Sequence, residues 1–214
     1  MFDAKLRPLI DRTLDPVGRW LASFGVGANH VTVAGAFFGL LAFIFIAADL
    51  AVIGLWLIIL NRLADGLDGA VARVAGQTDF GGYLDLVVDF IFYSAIPLAF
   101  AIANPDNAIA ACFLCVSFMG TASSFLGVAI LAAKHNIETD RRGEKAFYYL
   151  GGLTEGSETI LLLCAMALWP DYFVYMAWGF GLLCWVTTGT RIYLAHSMFA
   201  ARLVVNCFCL FRGC

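Results

Sequence analysis

Four aspartates lie within 25 residues of one another in otherwise apolar sequence: Asp65, Asp68, Asp85 and Asp89. A carboxylate at membrane depth costs about 2.5 kcal/mol or more, so intramembrane acids generally face a cavity and a partner. No cysteine or histidine lies among them, and carboxylate oxygens alone suit hard divalent cations such as Mg²⁺ or Mn²⁺. The stretch therefore predicts an intramembrane metal site.

Helical periodicity places these acids on two faces. At about 100° per residue, one face of a single helix carries Asp65, Asp68, Gly69, Ala72 and Arg73. Asp85 and Asp89, four residues apart, share a face of the next helix. The short segment between the helices contains glycine and offers Thr78 or Asp79 as N-cap, which predicts a helical hairpin with converging carboxylates.

The same residues carry a family resemblance. The pattern Asp65-x2-Asp68-Gly69-x2-Ala72-Arg73, followed by Gly81-x3-Asp85-x3-Asp89, resembles the signature of the CDP-alcohol phosphatidyltransferases, integral membrane enzymes of phospholipid synthesis. Seven residues separate Arg73 from Gly81 where the family usually has eight. Starting from Gly82 instead would leave Leu86 where an aspartate is needed, so the shorter interval falls in the turn between the helices.

The resemblance implies a role for each matching residue. It assigns Asp65, Asp68 and Asp85 to a pair of Mg²⁺ or Mn²⁺ ions, and Asp89 to the general base that also contacts a metal. It assigns the nucleotide site to Gly69, Ala72, Arg73, Asn29 and Thr32. From the residues alone, Gly69 and Ala72 equally suit close helix packing, and Asn29 suits helix capping.

The implied reaction is transfer of a phosphatidyl group from CDP-diacylglycerol to an alcohol hydroxyl, with release of CMP. Within the same family, the alternative is a CDP-choline or CDP-ethanolamine enzyme acting on diacylglycerol. From a different class, a cation transporter would also line its path with acids, but it would distribute them along the bilayer depth.

Composition and span lengths predict an all-α integral membrane protein. Of 214 residues, 62% are hydrophobic and 14% charged, against about 25% charged in soluble domains. Six apolar segments approach or exceed the ~20 residues that cross a bilayer. They cover roughly 31–48, 50–73, 80–103, 108–133, 147–168 and 172–194.

Three regions follow from this count. Residues 1–29 form a juxtamembrane segment whose apolar residues recur every three or four positions, which predicts an amphipathic interfacial helix bent or interrupted at Pro8 and Pro16. Residues 30–196 form the six-helix catalytic domain, and 197–214 form a tail.

The basic residues predict the orientation. All 13 Lys and Arg residues lie in the N-terminal segment, at the end of the hairpin, in the 134–145 loop or from Arg191 onward. The positive-inside tendency then places the acidic hairpin and both termini in the cytoplasm, in a bacterial inner membrane. The net charge of −3 argues against nucleic acid as a partner, and Gly35-x3-Gly39 would permit close packing or a homodimer without establishing either.

An acceptor pocket is predicted on the same side. Arg191, Lys134, Arg141 and Arg142 would suit an anionic small alcohol, although topology alone also places basic residues at cytoplasmic helix ends. Glu155 and Glu158 either face the cavity or occupy the first turn of a fifth helix that begins near Thr154. Both interpretations are open at this point.

Overall fold

The computed structural model describes residues 3–135 and 154–212, with side chains described for 12–135 and 154–199. These ranges are helical throughout, apart from short turns, and contain no β-strand. The α-helices are α1 (Asp3–Ser23), α2 (Ala28–Ala47), α3 (Ala51–Ala75), α4 (Asp79–Ala103), α5 (Ala108–Lys134), α6 (Gly156–Leu168) and α7 (Phe173–Arg212). Short 3-10 helices, Pro105–Asn107 and Pro170–Tyr172, precede α5 and α7.

Length and composition qualify three helices in the described ranges to cross a membrane. They are α2, α4, and α5 with its preceding 3-10 turn. Helices α6 and α7 meet at a bend of 118°, and the pair adds a fourth span only if the two cross the membrane as one broken span. Helix α3 has 25 residues, but Asp65, Asp68 and two arginines interrupt its apolar sequence. The six-span topology and the three-region division therefore stay predictions.

One predicted boundary needs correction. The fifth span was predicted from residue 147, but α6 begins at Gly156, and its 13 residues extend about 20 Å. Residues 147–153 lie outside the described part of the chain. Helix α7 continues past Leu194, the predicted end of the sixth span, to Arg212, and the end of that span stays a prediction.

Helix α1 is continuous from Asp3 to Ser23, so it is not interrupted at Pro8 or Pro16, and the alternative of a bend there stays a prediction. A proline removes only one main-chain hydrogen bond, and the turns on either side maintain the helix. Helix α1 packs against α3, where a methyl group added to Gly18 would lie 2.7 Å from the Ala70 Cβ. Its predicted position on the membrane surface stays a prediction.

Helix α2 packs against both helices of the acidic hairpin, and its glycines permit the close approach. A Cβ atom added to Gly35 would lie 3.1 Å from Ala64 Cβ in α3. One added to Gly39 would lie 3.0 Å from Phe92 Cδ2 in α4. The Gly35-x3-Gly39 pair thus serves packing within the chain, and a homodimer stays a prediction.

The main apolar core lies beyond the acidic residues, where α2 to α7 meet. Its most buried members include Ile58, Ile96, Leu114, Leu163 and Phe173, all fully enclosed. Burial of this kind contributes about 1.5–3 kcal/mol for each large apolar side chain. The core therefore holds α3 and α4 against the other helices, and this packing fixes the positions of the carboxylates.

Candidate active site

The antiparallel hairpin brings the acids of α3 and α4 to the same level. Asp65 lies ten residues before Ala75, where α3 ends, and Asp89 lies ten residues after Asp79, where α4 begins. At 1.5 Å per residue, both lie about 15 Å from the turn. Asp68 and Asp85 each lie about one helical turn closer to the connection between the two helices. The hairpin predicted from the sequence is confirmed.

The connection between α3 and α4 contains a glycine with positive φ and a threonine that caps α4. Gly76 has φ +100°, a backbone conformation that side chains disfavour. Thr78 is the N-cap of α4, and its hydroxyl accepts the Gly81 N–H at 3.0 Å. Of the two predicted caps, Thr78 is the one used. The turn fixes where α4 begins and so sets which acids face each other.

Three of the four predicted metal ligands converge. Asp65, Asp85 and Asp89 each offer one carboxylate oxygen, and these oxygens lie within 4.8 Å of one another. Asp89 Oδ1 is buried, and it lies 2.8 Å from Arg62 Nη2. Converging carboxylate oxygens of this kind fit a hard divalent cation. The donor set thus suits Mg²⁺ or Mn²⁺.

The fourth predicted ligand, Asp68, lies on the same side but makes a different contact. Its Oδ2 accepts a hydrogen bond of 2.6 Å from the Thr32 hydroxyl in α2. Asp68 is buried, and it lines one cavity together with the other three aspartates. Thr32 therefore joins α2 to the acidic hairpin. Its predicted contact with the nucleotide stays a prediction.

Arg62 provides a positive charge at the centre of the cluster. Its Nη2 lies 2.8 Å from Asp89 Oδ1, and its Nη1 lies 3.7 Å from Asp65 Oδ2. Arg62 precedes Asp65 by about one helical turn, so it can reach acids of both helices. The side chain is 10% exposed, so solvent screens these ion pairs only weakly.

Two polar residues of the site were missed from the sequence. Asn61 is buried, and its Nδ2 donates to the Gly35 carbonyl of α2 at 2.8 Å. The Tyr93 hydroxyl donates to Asp89 Oδ2 at 3.2 Å. Both extend the acidic faces by one helical turn, since Asn61 precedes Asp65 by four residues and Tyr93 follows Asp89 by four. This four-residue spacing was the sequence signal from which both residues could have been predicted to lie in the site.

The cavity is built from three helices. Its lining includes all four aspartates and Arg62, together with Thr32, Gly35, Ala36, Asn61 and Val88. These residues belong to α2, α3 and α4. Among the side chains that line it, Arg62 is the only basic one. The arrangement can bind cations through oxygen and can bring a phosphate close to them.

The predicted nucleotide residues lie on the turn side of the cluster. A Cβ added to Gly69 would meet only Arg73 Nη1, at 3.6 Å, so Gly69 does not serve helix packing and its surface is open. Ala72 is half-buried. Arg73 forms an ion pair with Asp15 of α1, with its Nη2 2.7 Å from Asp15 Oδ1.

Asn29 does not cap α2, because the N-cap is Gly27. It lies in the first turn instead, with its Oδ1 against Gly81 of α4: a Cβ added to Gly81 would be 2.9 Å from that oxygen. The capping interpretation is therefore wrong. Asn29 lies at the mouth of the hairpin, near the cap of α4.

The predicted acceptor residues do not line the described cavity. Arg191 is buried beside α5, where its Nη1 donates to the Thr121 carbonyl at 3.0 Å and its guanidinium lies 5.6 Å from the Phe125 ring centroid. Lys134 is exposed at the end of α5. Arg141 and Arg142 lie outside the described residues.

The two glutamates occupy the start of α6. Glu155 is the N-cap and Glu158 is three residues on, and the Glu158 Oε2 accepts the Glu155 N–H at 3.2 Å. Such a reciprocal arrangement satisfies main-chain donors that the helix leaves unpaired. This supports the second interpretation, a helix that starts late. Glu155 is also close enough to Arg191 to interact with it electrostatically.

Comparisons with known proteins agree with this site. The family model described as CDP-alcohol phosphatidyltransferase matches residues 26–189. The chain is 47% identical over 197 residues to "Inner membrane protein YnjF" of Escherichia coli, covering 92% of this chain and 96% of the relative. It is 27% identical to the archaetidylinositol phosphate synthase of Pyrococcus horikoshii, over 91% and 96% of the two chains.

A solved structure shares the fold. The phosphatidylinositol phosphate synthase PgsA1 of Mycobacterium tuberculosis, crystallised with CDP-DAG bound, superposes with a TM-score of 0.64 at 22% identity. The match covers 86% of this chain and 94% of that one. The apolar helices and the similarity to an inner membrane protein indicate an integral membrane protein.

Proposed function

Because the chain belongs to the CDP-alcohol phosphatidyltransferase family, we propose that it transfers a phosphatidyl group from CDP-diacylglycerol to the hydroxyl of a small alcohol. The observation that carries this proposal is the convergence of Asp65, Asp85 and Asp89 at the base of an open, glycine-bearing face. The proposal places the site and both termini on the cytoplasmic side of a bacterial inner membrane, in keeping with the basic residues around the hairpin end.

The reaction is a substitution at phosphorus. The acceptor hydroxyl oxygen forms a bond to the phosphorus that carries diacylglycerol, and the bond from that phosphorus to CMP breaks. CMP leaves with the electron pair, and the hydroxyl proton passes to Asp89. Asp89 is suited to this role because Arg62 and Tyr93 hold both of its oxygens, which fixes the orientation of the carboxylate.

Asp65, Asp68, Asp85 and Asp89 would hold a pair of Mg²⁺ or Mn²⁺ ions. When bound, such ions stabilise negative charge on the transferring phosphate. Gly69 and Ala72 would let the cytidine approach the backbone of α3. Arg73 and Asn29 would lie beside the phosphates and the nucleotide, and Thr32 would keep Asp68 oriented.

The acceptor is a small alcohol. The relatives include an archaetidylinositol phosphate synthase and a CDP-diacylglycerol–serine O-phosphatidyltransferase of Helicobacter pylori, whose names differ in the alcohol. In this chain Arg191, Lys134, Arg141 and Arg142 would suit a negatively charged alcohol. The capping role of Glu155 and Glu158 leaves Glu155 beside Arg191, where it would limit how strongly that arginine binds an anion.

The test is CMP release by the full-length protein in lipid nanodiscs. We expect release from CDP-diacylglycerol when Mn²⁺ or Mg²⁺ and a hydroxyl acceptor are present, and loss of that release in Asp65→Ala and Asp89→Asn. Asp106→Asn is the matched control, because Asp106 is exposed in the turn before α5. Full turnover in both site variants would overturn the proposal.

Two further arms separate the alternatives. Release of CMP from CDP-choline with diacylglycerol, and not from CDP-diacylglycerol, would identify the other type of CDP-alcohol enzyme. Metal flux into liposomes without CMP release from either donor would identify a transporter. A panel of alcohols with labelled CDP-diacylglycerol, separated by lipid chromatography, would then name the acceptor class.

A further inference from the structure

The Arg62 side chain makes more contacts within the acidic cluster than an arginine in a surface ion pair usually makes. Its guanidinium reaches two of the clustered carboxylates, at 2.8 Å to Asp89 and 3.7 Å to Asp65. Its Nε donates to Asn61 Oδ1 at 2.8 Å, and its Nη1 donates to the Tyr93 hydroxyl at 3.3 Å. Four different residues therefore hold the Arg62 guanidinium in position.

The aromatic neighbours add a second constraint. The guanidinium carbon lies 4.6 Å from the centroid of the Phe92 ring and 5.5 Å from that of Tyr93. A guanidinium over an aromatic face is attracted by the ring, more strongly when water is excluded. Phe92 is itself held by α2, since it packs against Gly39. Aromatic packing therefore holds the Arg62 guanidinium in addition to its ion pairs.

Charge explains why a fixed cation matters here. Four carboxylates line this cavity, and Arg62 is the only basic side chain among its described lining residues. Carboxylates that converge in a partly buried site repel one another unless cations lie between them. Arg62 neutralises one of the four charges permanently. It also repels any further cation that enters.

We propose that Arg62 is a resident counterion that stabilises the protein without metal and weakens its binding of divalent cations. This inference rests on the metal site of the proposed function, and it assigns Arg62 a positioning role rather than a contact with substrate. A single charge and a divalent ion about 6 Å apart repel enough, even at the dielectric constant of water, to change affinity about tenfold. Arg62 thereby keeps the cations exchangeable.

The experiment measures thermal unfolding of the full-length protein in detergent, first with EDTA and then across a Mn²⁺ titration. In Arg62→Met we expect a lower melting temperature in EDTA. The Mn²⁺ concentration that gives half of the maximal stabilisation (the Mn²⁺ midpoint) should be about tenfold lower than in the wild type. Arg62→Lys keeps the charge, so its Mn²⁺ midpoint should stay within about threefold of the wild type. Arg12→Met removes an exposed arginine of α1 and serves as the control.

A double variant keeps the test decisive if Arg62→Met does not fold. Arg62→Met combined with Asp89→Asn removes one charge of each sign, so its melting temperature in EDTA should exceed that of Arg62→Met. A Mn²⁺ midpoint in Arg62→Met that equals or exceeds the wild-type value would overturn the counterion role. So would a double variant that is no more stable than Arg62→Met.

The outcomes also separate this inference from the proposed function. The melting curves need no substrate, so a wild type that releases no CMP would still report on Arg62. A wild type with no response to Mn²⁺ would refute the metal site itself. A wild-type response equal to that of Arg62→Met would refute the role of Arg62 alone.

Discussion

Asn61 connects α3 to α2, and replacing it tests how the acidic hairpin is held. The substitution Asn61→Leu keeps the volume approximately but removes two contacts. One is the 2.8 Å hydrogen bond from Nδ2 to the Gly35 carbonyl of α2. The other is the 2.8 Å hydrogen bond from Arg62 Nε to Oδ1. Asn61 is only 2% exposed, so water does not replace either partner.

The expected loss follows from the kinds of bond removed. Hydrogen bonds between membrane helices average about 0.6 kcal/mol and reach about 1.7. A hydrogen bond to a charged group contributes about 1.5–3 kcal/mol. The sum for Asn61 is about 2–5 kcal/mol. For a chain of this length, each kcal/mol lowers the melting temperature by about 2–4 °C, which predicts a decrease of about 4–20 °C.

The assay is thermal unfolding of the full-length protein in detergent, followed by tryptophan fluorescence. Ser117→Ala is the matched control: Ser117 is fully buried, but its hydroxyl donates to the Phe113 carbonyl of its own helix at 2.8 Å. We expect this control to stay within about 3 °C of the wild type, because no bond between helices is lost. If Asn61→Leu unfolds at the wild-type temperature, Asn61 does not hold α2 and α3 together.

Two further substitutions test contacts between α2 and α3. Thr32→Val removes the donor to Asp68, so we expect a loss of about 1–3 kcal/mol in the free energy of unfolding, recovered in Thr32→Ser. A chemical denaturation series that shows no difference between Thr32→Val and Thr32→Ser would contradict this. Gly54→Ala forces a methyl group into Ile46 of α2, so we expect a loss of about 1–3 kcal/mol. In the double variant with Ile46→Ala the losses should be less than additive; strictly additive losses would show that the two residues do not collide.

Periodicity was sufficient to predict the acidic hairpin. The i, i+3 and i, i+4 spacings alone determine which carboxylates share a face, and the Thr78 cap alone determines where α4 begins. Both are local properties of the chain. The cluster of Asp65, Asp85 and Asp89 follows from them once the two helices are antiparallel.

Contacts between distant segments were not predictable in this way. The ion pair between Arg73 and Asp15 joins residues 58 positions apart, and nothing in either local sequence selects the other. Arg191 could not be assigned from the sequence for another reason: a basic residue near a helix end predicted to be cytoplasmic is expected from topology alone and is also compatible with substrate binding. Its burial beside Thr121 became apparent only once α5 and α7 were packed together.

The ion pair between α1 and α3 lies on the face of α3 that carries Gly69, Ala72 and Arg73, which we propose binds the nucleotide. The side chains of Arg73 and Asp15 are 35% and 37% exposed, so their pairing contributes at most about 1 kcal/mol. The close packing of Gly18 on Ala70, one turn away along both helices, is what holds α1 in place. In the phosphate-binding role proposed for Arg73, we expect its guanidinium to exchange the Asp15 carboxylate for a phosphate while the packing of Gly18 on Ala70 keeps α1 in place.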